Sequence, residues 1–400
     1  MESALYPLKF MPLFKNKIWG GNKIKTLGFD YEPLPNCGEL WVLSGVEYNE
    51  SIVTNGFLSE NTLSEVLEIY MGELIGERNY ERFGNDFPLL IKLIDSADDL
   101  SIQVHPNDQL AQSRGMGNGK TEMWYIVDAE EDATIVNGFA KDTNSMEYAD
   151  ALQKGSLEQL LHKERVQKGD TYFIPAGRVH ALGKGILTAE IQQSSDCTYR
   201  IYDYNRPGED GRLRELHIRE AMDAIQFDKV ADGRTHYLYS ENKTVPLADT
   251  PYFTTNLIAL SKPVRKDFHE LDSFVVYFCV DGLAAVKCMD EICPIHAGEC
   301  VLIPAVADMV ELFSEGPAKL LEVYIDPEKH TEKYDSSMIE TDWITSFIGE
   351  CDTDLNEEED CDCQHDHHGH DCGCQHDHHG DSCDCQHDHH GDGCGCQHDH

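Results

Sequence analysis

The stretch Gly169–His180, GDTYFIPAGRVH, narrows what this chain can become more than any other. It reads as an apolar strand, a tight Pro175-x-Gly177 turn, and then a histidine delivered by rigid backbone. Upstream, LSIQVHPND reads as a second strand running into a turn. Side chains two apart on a strand share a face, so Gln103 and His105 present an amide and an imidazole side by side. KTEMWYIVD is a third strand and carries Glu122, with Lys120 on the same face two residues earlier. A single histidine is most often a packed or surface side chain. Two imidazoles, a carboxylate and an amide converging from three strands are the donor set of a catalytic divalent-metal site with an open position.

The 400 residues suffice for two or three domains with a substantial core. No run of about 18 apolar residues marks a membrane span. The start, MESALYPLKFMPLFKNKIWGG, lacks the pattern of a secretory signal, so a cytoplasmic protein is expected. Net charge is −41, and residues 1–350 alone carry 32 basic against 58 acidic side chains. A body this acidic repels polyanions, which argues against nucleic acid as a partner and requires a local basic pocket for any anionic substrate. Seven of the 15 cysteines precede residue 360 without paired spacing, and reduced thiols are expected there. Whether the chain is a monomer or a homodimer is left open.

The spacing Gly169-x5-Pro175-x-Gly177-x2-His180 resembles the second motif of the cupin superfamily at every fixed position. A mainly β chain is therefore expected: two cupin-type jelly-roll barrels with a few helices and a disordered Cys/His/Asp-rich C-terminal tail. Residues 1–235 would form the catalytic barrel with helical insertions. Within it, 60–83 repeats apolar residues at helical spacing, with Ser59 or Asn61 as cap. Residues 106–120, rich in glycine, read as a loop at the mouth of the site. Residues 144–166 read as two short helices broken at Gly155. Residues 236–350 repeat the barrel grammar without its ligands. Gly298-x5-Pro304 keeps strand and turn, but Val306 and Met309 stand at the second glycine and histidine positions, so this barrel is expected to be structural and metal-free.

Residues 351–400 form a different kind of segment. From Cys361 an 11-residue unit recurs: CDCQHDHHGHD, CGCQHDHHGDS, CDCQHDHHGDG and a truncated CGCQHDH. Eight Cys and 12 His fall in these 40 residues with almost nothing apolar to bury, which predicts a disordered tail able to take up additional metal ions such as Zn, Cu(I) or Ni.

Over about residues 5–325, IWGG, LSIQVHPND, GKTEMWY, PAGRVHALG and EIQQSSDCTYRIYDYNR resemble type I mannose-6-phosphate isomerases of the short bacterial kind. The resemblance implies one zinc ion per catalytic site and interconversion of mannose 6-phosphate with fructose 6-phosphate. It carries the zinc ligands onto Gln103, His105, Glu122 and His180, and the catalytic arginine onto Arg200. Lys92, Ser101 and Lys120 fall where the family lines its sugar-phosphate pocket. It says nothing of the repeat tail.

Aldose–ketose isomerisation through an enediol needs a proton carrier and fixed positive charge near developing oxyanions. Arg200 is the candidate guanidinium. Lys120, Glu190 and Asp196 are candidate carriers, with a salt bridge to Arg200 or Arg206 the alternative for the two carboxylates. A lysine beside a dication would have a lowered pKa suited to a base. Glu190, Gln192, Asp196 and Arg200 share parity, but ten straight residues span about 33 Å, so the chain must bend near Ser194–Ser195. Ser101, Lys92, Arg200 and Arg206 are candidate phosphate contacts. Two other readings fit part of the pattern: a cupin Fe(II) oxygenase, and a metal-buffering protein acting through its tail.

Overall fold

The structure is a computed structural model that describes residues 5–208 and 210–330. The expectations for residues 351–400, tail included, lie outside the described residues.

Eleven strands build the first barrel. They are β1 (Leu13–Lys15), β2 (Glu39–Ser44), β3 (Leu89–Ser96), β4 (Ile102–Val104), β5 (Glu122–Ala129), β6 (Thr134–Phe139), β7 (Leu161–Arg165), β8 (Thr171–Ile174), β9 (His180–Leu182), β10 (Ile186–Gln193) and β11 (Tyr199–Tyr202). They pair antiparallel into a six-stranded sheet, β1-β2-β3-β10-β5-β8, facing a five-stranded sheet, β11-β4-β9-β6-β7. A second barrel of five- and four-stranded sheets follows between Thr244 and Tyr324.

β3 and β10 bury all eight of their residues. The reason lies in alternation: one parity faces the barrel interior and the other faces the second barrel. Leu89, Ile91 and Leu93 of β3, Met123 and Tyr125 of β5, and Ala189 and Ile191 of β10 join one apolar cluster with Val276, Phe278, Leu302, Leu321 and Val323. Each fully buried aliphatic side chain there contributes about 2 kcal/mol, so this shared face is a main source of cohesion. The even-numbered residues of β3, β5 and β10 are left to point inward, where polar groups are held.

The segment 60–83 forms three short helices, Leu63–Tyr70, Gly72–Ile75 and Glu77–Phe83. The cap is Thr62, not Ser59 or Asn61: its side chain accepts from the Glu65 amide and Glu65 reaches back, a capping box. Residues 106–120 are not simply a loop. Asn107 caps a helix, Asp108–Ser113. The second helix expected within 144–166 is instead one 3-10 turn, Leu157–Gln159, and the strand β7, which alternates in burial and pairs with β6. Pairing along β6 overrides the helix-favouring Leu, Glu and Gln of this stretch.

Both motif glycines have a backbone reason. Gly169 (φ 94°) and Gly177 (φ 91°) occupy the left-handed region. Each is the third residue of a turn closed by a bond from the next amide, Asp170 to the Gln167 carbonyl and Arg178 to the Pro175 carbonyl. The Gly177 amide also donates to the His105 carbonyl at 2.9 Å, joining the two histidine-bearing segments. In the second barrel the turn Pro304–Ala307 closes without a positive φ at Val306, and Met309 is exposed.

Candidate active site

Strand register explains the convergence. Across the five-stranded sheet, Arg200 pairs with Gln103, Gln103 with His180, and His180 with Asn137, so four polar side chains from four strands form one row. Across the facing sheet runs a second row, Trp41–Lys92–Glu190–Trp124–Tyr172. Glu122 is on the same face as Trp124, two residues earlier, and pairs with Gln192.

Between these rows the donor atoms of His105, Glu122 and His180 lie within 4.8 Å of one another, all three residues buried. His105 Nδ1 is 2.9 Å from the Cys197 carbonyl and His180 Nδ1 is 2.8 Å from the Arg178 carbonyl. A carbonyl only accepts, so each Nδ1 carries the proton and each Nε2 presents a bare lone pair to the site. The Nε2 atoms stand 3.4 and 3.3 Å from the two Glu122 oxygens. Donors sharing a tetrahedral ion at about 2.1 Å are about 3.4 Å apart. The Gln103 amide lies 3.2 Å from His180 Nε2, and a half-turn of that amide presents its oxygen to the same point.

Electrostatics agree with a cation site. Burial, reinforced by Lys120, pushes His105 down to about 3, and burial lowers His180 as well. Both rings are therefore neutral near pH 7, as metal ligands must be. Burial opposes ionisation of Glu122, but Lys120, His180 and His105 outweigh it and hold the carboxyl well below its usual range. His105 Nε2 and both Glu122 oxygens are buried without hydrogen-bond partners, Lys120 Nζ being an ion-pair neighbour at 3.0 Å. Buried groups left so are costly unless something cationic joins them. The residues therefore fit a divalent ion, with Gln103, His105, Glu122 and His180 able to hold it.

The other candidates divide. Lys120 is buried at Glu122. Burial lowers its pKa, but the carboxylates Glu122 and Glu190 prevail and by themselves hold it above the ordinary lysine value, whereas the lowering expected from sequence concerns a lysine beside a dication. Ser101 is buried two residues before Gln103. Glu190 accepts from Trp124 Nε1 at 3.1 Å and pairs with Lys92 Nζ at 3.1 Å, so its salt-bridge partner is Lys92 rather than an arginine. Asp196 is exposed, on the bend between β10 and β11. That bend is pinned where Gln192 donates to the carbonyls of Gln193 and Ser195. Arg200 is half-buried, and its Nη1 donates to the Glu215 carbonyl at 2.9 Å. Arg206 is bound to Asp203 and Asp98, and Arg214 shares Asp203.

Reasoning from sequence missed His217, whose Nδ1 accepts from the Arg200 amide, and Trp124, which meets His180 edge-on with centroids 5.5 Å apart. Trp124 was findable, being two residues from Glu122 on the same face. Lys92→Met leaves Glu190 buried without its cation and is expected to cost about 3 kcal/mol in urea unfolding. A variant as stable as the parent but with a raised KM would instead make Lys92 a substrate contact.

A jelly roll holding two neutral histidines and an ionised carboxylate between its sheets defines a cupin with an interior fitted to a divalent cation. Residues 7–157 match the family description phosphomannose isomerase type I, catalytic domain, and 242–325 match mannose-6-phosphate isomerase, cupin domain. The chain belongs to the type I mannose-6-phosphate isomerase family. It is 36% identical over 304 residues to the mannose-6-phosphate isomerase ManA of Bacillus subtilis, covering 74% of this chain and 93% of that protein. It is 37% identical over 265 residues to a mannose-6-phosphate isomerase of Streptococcus mutans, covering 65% and 80%. The solved structure of the mannose 6-phosphate isomerase from Bacillus subtilis superposes with TM-score 0.71 at 32% identity, covering 80% of this chain and 99% of that one.

Proposed function

We propose that this chain interconverts mannose 6-phosphate and fructose 6-phosphate through an enediol, with one zinc ion held by Gln103, His105, Glu122 and His180. The observation that carries the reading is the buried His105–Glu122–His180 cluster in a chain of this family. When bound, the ion supplies a Lewis acid toward sugar oxygens.

The remaining chemistry is the protein's own. Arg200, one strand from Gln103, supplies fixed positive charge where oxygen becomes anionic. Lys120, 3.0 Å from Glu122, is placed beside the ligands to pass a proton to or from the sugar as the carbonyl shifts between C1 and C2. Of the carboxylates named for the carbon-bound proton, Glu190 has a partner for each oxygen, whereas Asp196 is at the exposed rim. Lys92 and Ser101, both buried, are the contacts proposed for the phosphate. Arg206, held by Asp98 and Asp203, is better suited to a structural role than to binding phosphate alone.

A coupled assay tests the function. The protein is expected to convert mannose 6-phosphate, to lose that activity on chelation and to regain it with zinc. Turnover undiminished by complete metal removal would overturn the metal-dependent reading, and oxygen uptake without isomerisation would favour the oxygenase.

A further inference from the structure

The second barrel repeats the inner polar row of the first in the same register. In the first barrel Trp124 pairs with Tyr172, three residues before Pro175, and Glu190 stands between Trp124 and Lys92. In the second, Tyr277 pairs with Val301, three residues before Pro304, and Glu322 stands between Tyr277 and Asn256. Glu322 therefore takes the place of Glu190, with an aromatic donor on one side and a polar side chain on the other. It is 1% exposed. Its carboxylate accepts from the Tyr277 hydroxyl at 2.9 Å, Asn256 Nδ2 at 3.1 Å and Lys266 Nζ at 3.0 Å. Burial and the Glu322 charge push Tyr277 well above the usual phenol range, so its hydroxyl stays a donor. Lys266 reaches in from the facing sheet and also donates to Thr244 Oγ1 at 2.6 Å.

A barrel kept only as support gains nothing from this pair, because a buried ion pair costs desolvation that apolar side chains of like size avoid. Elsewhere the same interior is packed with apolar side chains, among them Ile258, Val275, Val286, Val301, Leu312 and Leu320. A cavity of about 370 Å³ opens on the polar groups, with Asn256, Lys266 and Glu322 at its more buried end and Thr244, Phe268 and Tyr324 also lining it. That volume lies within the range of small-molecule sites. Among the described residues no group of three metal-ligating side chains lies here. The lining selects its ligand by charge. Six carboxylates against Arg78 and Lys266 repel a sugar phosphate. The Lys266 ammonium at the buried end repels an organic cation. Amide, hydroxyl, ammonium and carboxylate together offer both donors and acceptors, and the two rings offer apolar faces. Vicinal hydroxyls on a carbon skeleton match that combination.

We propose that the second barrel binds a neutral polyhydroxylated molecule, an unphosphorylated sugar or sugar alcohol, through Asn256, Lys266 and Glu322. The site shares no residue with the metal cluster of the first barrel, so it does not rest on the isomerase reading.

Calorimetric titration of the full-length, zinc-loaded chain with mannose, fructose, mannitol and sorbitol tests it, with choline as a cationic probe. At least one of the four polyols is expected to bind in the millimolar range or tighter. Two full-length variants locate the site. Lys266→Met/Glu322→Met removes both charges together, so neither is left buried alone. Thr244→Trp puts a bulky ring at the cavity and leaves the pair in place. Each is expected to weaken binding at least about tenfold, with the coupled isomerase assay unchanged. Full-length His180→Ala is expected to bind the polyol as the parent does, which separates this site from the first barrel. No polyol binding to the parent, binding undiminished in either cavity variant, loss of binding in His180→Ala, or binding of choline alone would overturn the proposal.

Discussion

The His180→Ala chain is expected to lose its barrel metal and at least about 1,000-fold in kcat/KM, since a catalytic ion supplies several kcal/mol of transition-state stabilisation. His180 is the ring that joins both halves of the site. It begins β9, pairs in register with Gln103, and faces Glu122 at 3.3 Å. Its Nδ1 is fixed by the Arg178 carbonyl, so alanine removes a donor that no neighbour can replace. The fold should survive, because β9 keeps its backbone pairing to β4 and β6. Metal analysis of the barrel, circular dichroism and the coupled assay together check the result. A variant that kept barrel zinc and full turnover would remove His180 from the ligand set.

Arg200→Ala is expected to keep the barrel metal and lose about 100- to 1,000-fold in kcat, the usual loss when one preorganised positive or hydrogen-bonding group is taken from an oxyanion. Its side chain donates to the Glu215 carbonyl, and its backbone amide, which donates to His217, is retained in the variant. The loss should therefore appear in chemistry and not in stability. A raised KM with unchanged kcat would place Arg200 on the phosphate rather than on the reacting carbons. Unchanged kinetics would remove it from the mechanism.

The candidate site was legible in sequence wherever local geometry carried it. Period-two alternation put Gln103 with His105 and Lys120 with Glu122 on shared faces, and the Pro-x-Gly turn located His180. What lay between strands was not legible. The row Arg200–Gln103–His180–Asn137 depends on which strands neighbour one another, and that is set by non-local pairing. The carbonyls of Cys197 and Arg178 that fix both imidazoles leave no side-chain signal at all. Parity failed past the bend: β10 and β11 belong to different sheets, so Asp196 falls at the exposed rim although its number matches Glu190. The residues of β3 are all buried although Lys92, Asp95 and Ser96 stand among them, and nothing local in the sequence says that its odd-numbered face would meet the second barrel.

The most direct measurement is a zinc-edge anomalous difference map from crystals of the zinc-loaded protein. The account predicts a strong peak within bonding distance of His105 Nε2, His180 Nε2 and Glu122, with the Gln103 amide oxygen turned toward it. Loaded crystals that put no density between those side chains, or zinc only elsewhere in the barrel, would contradict it.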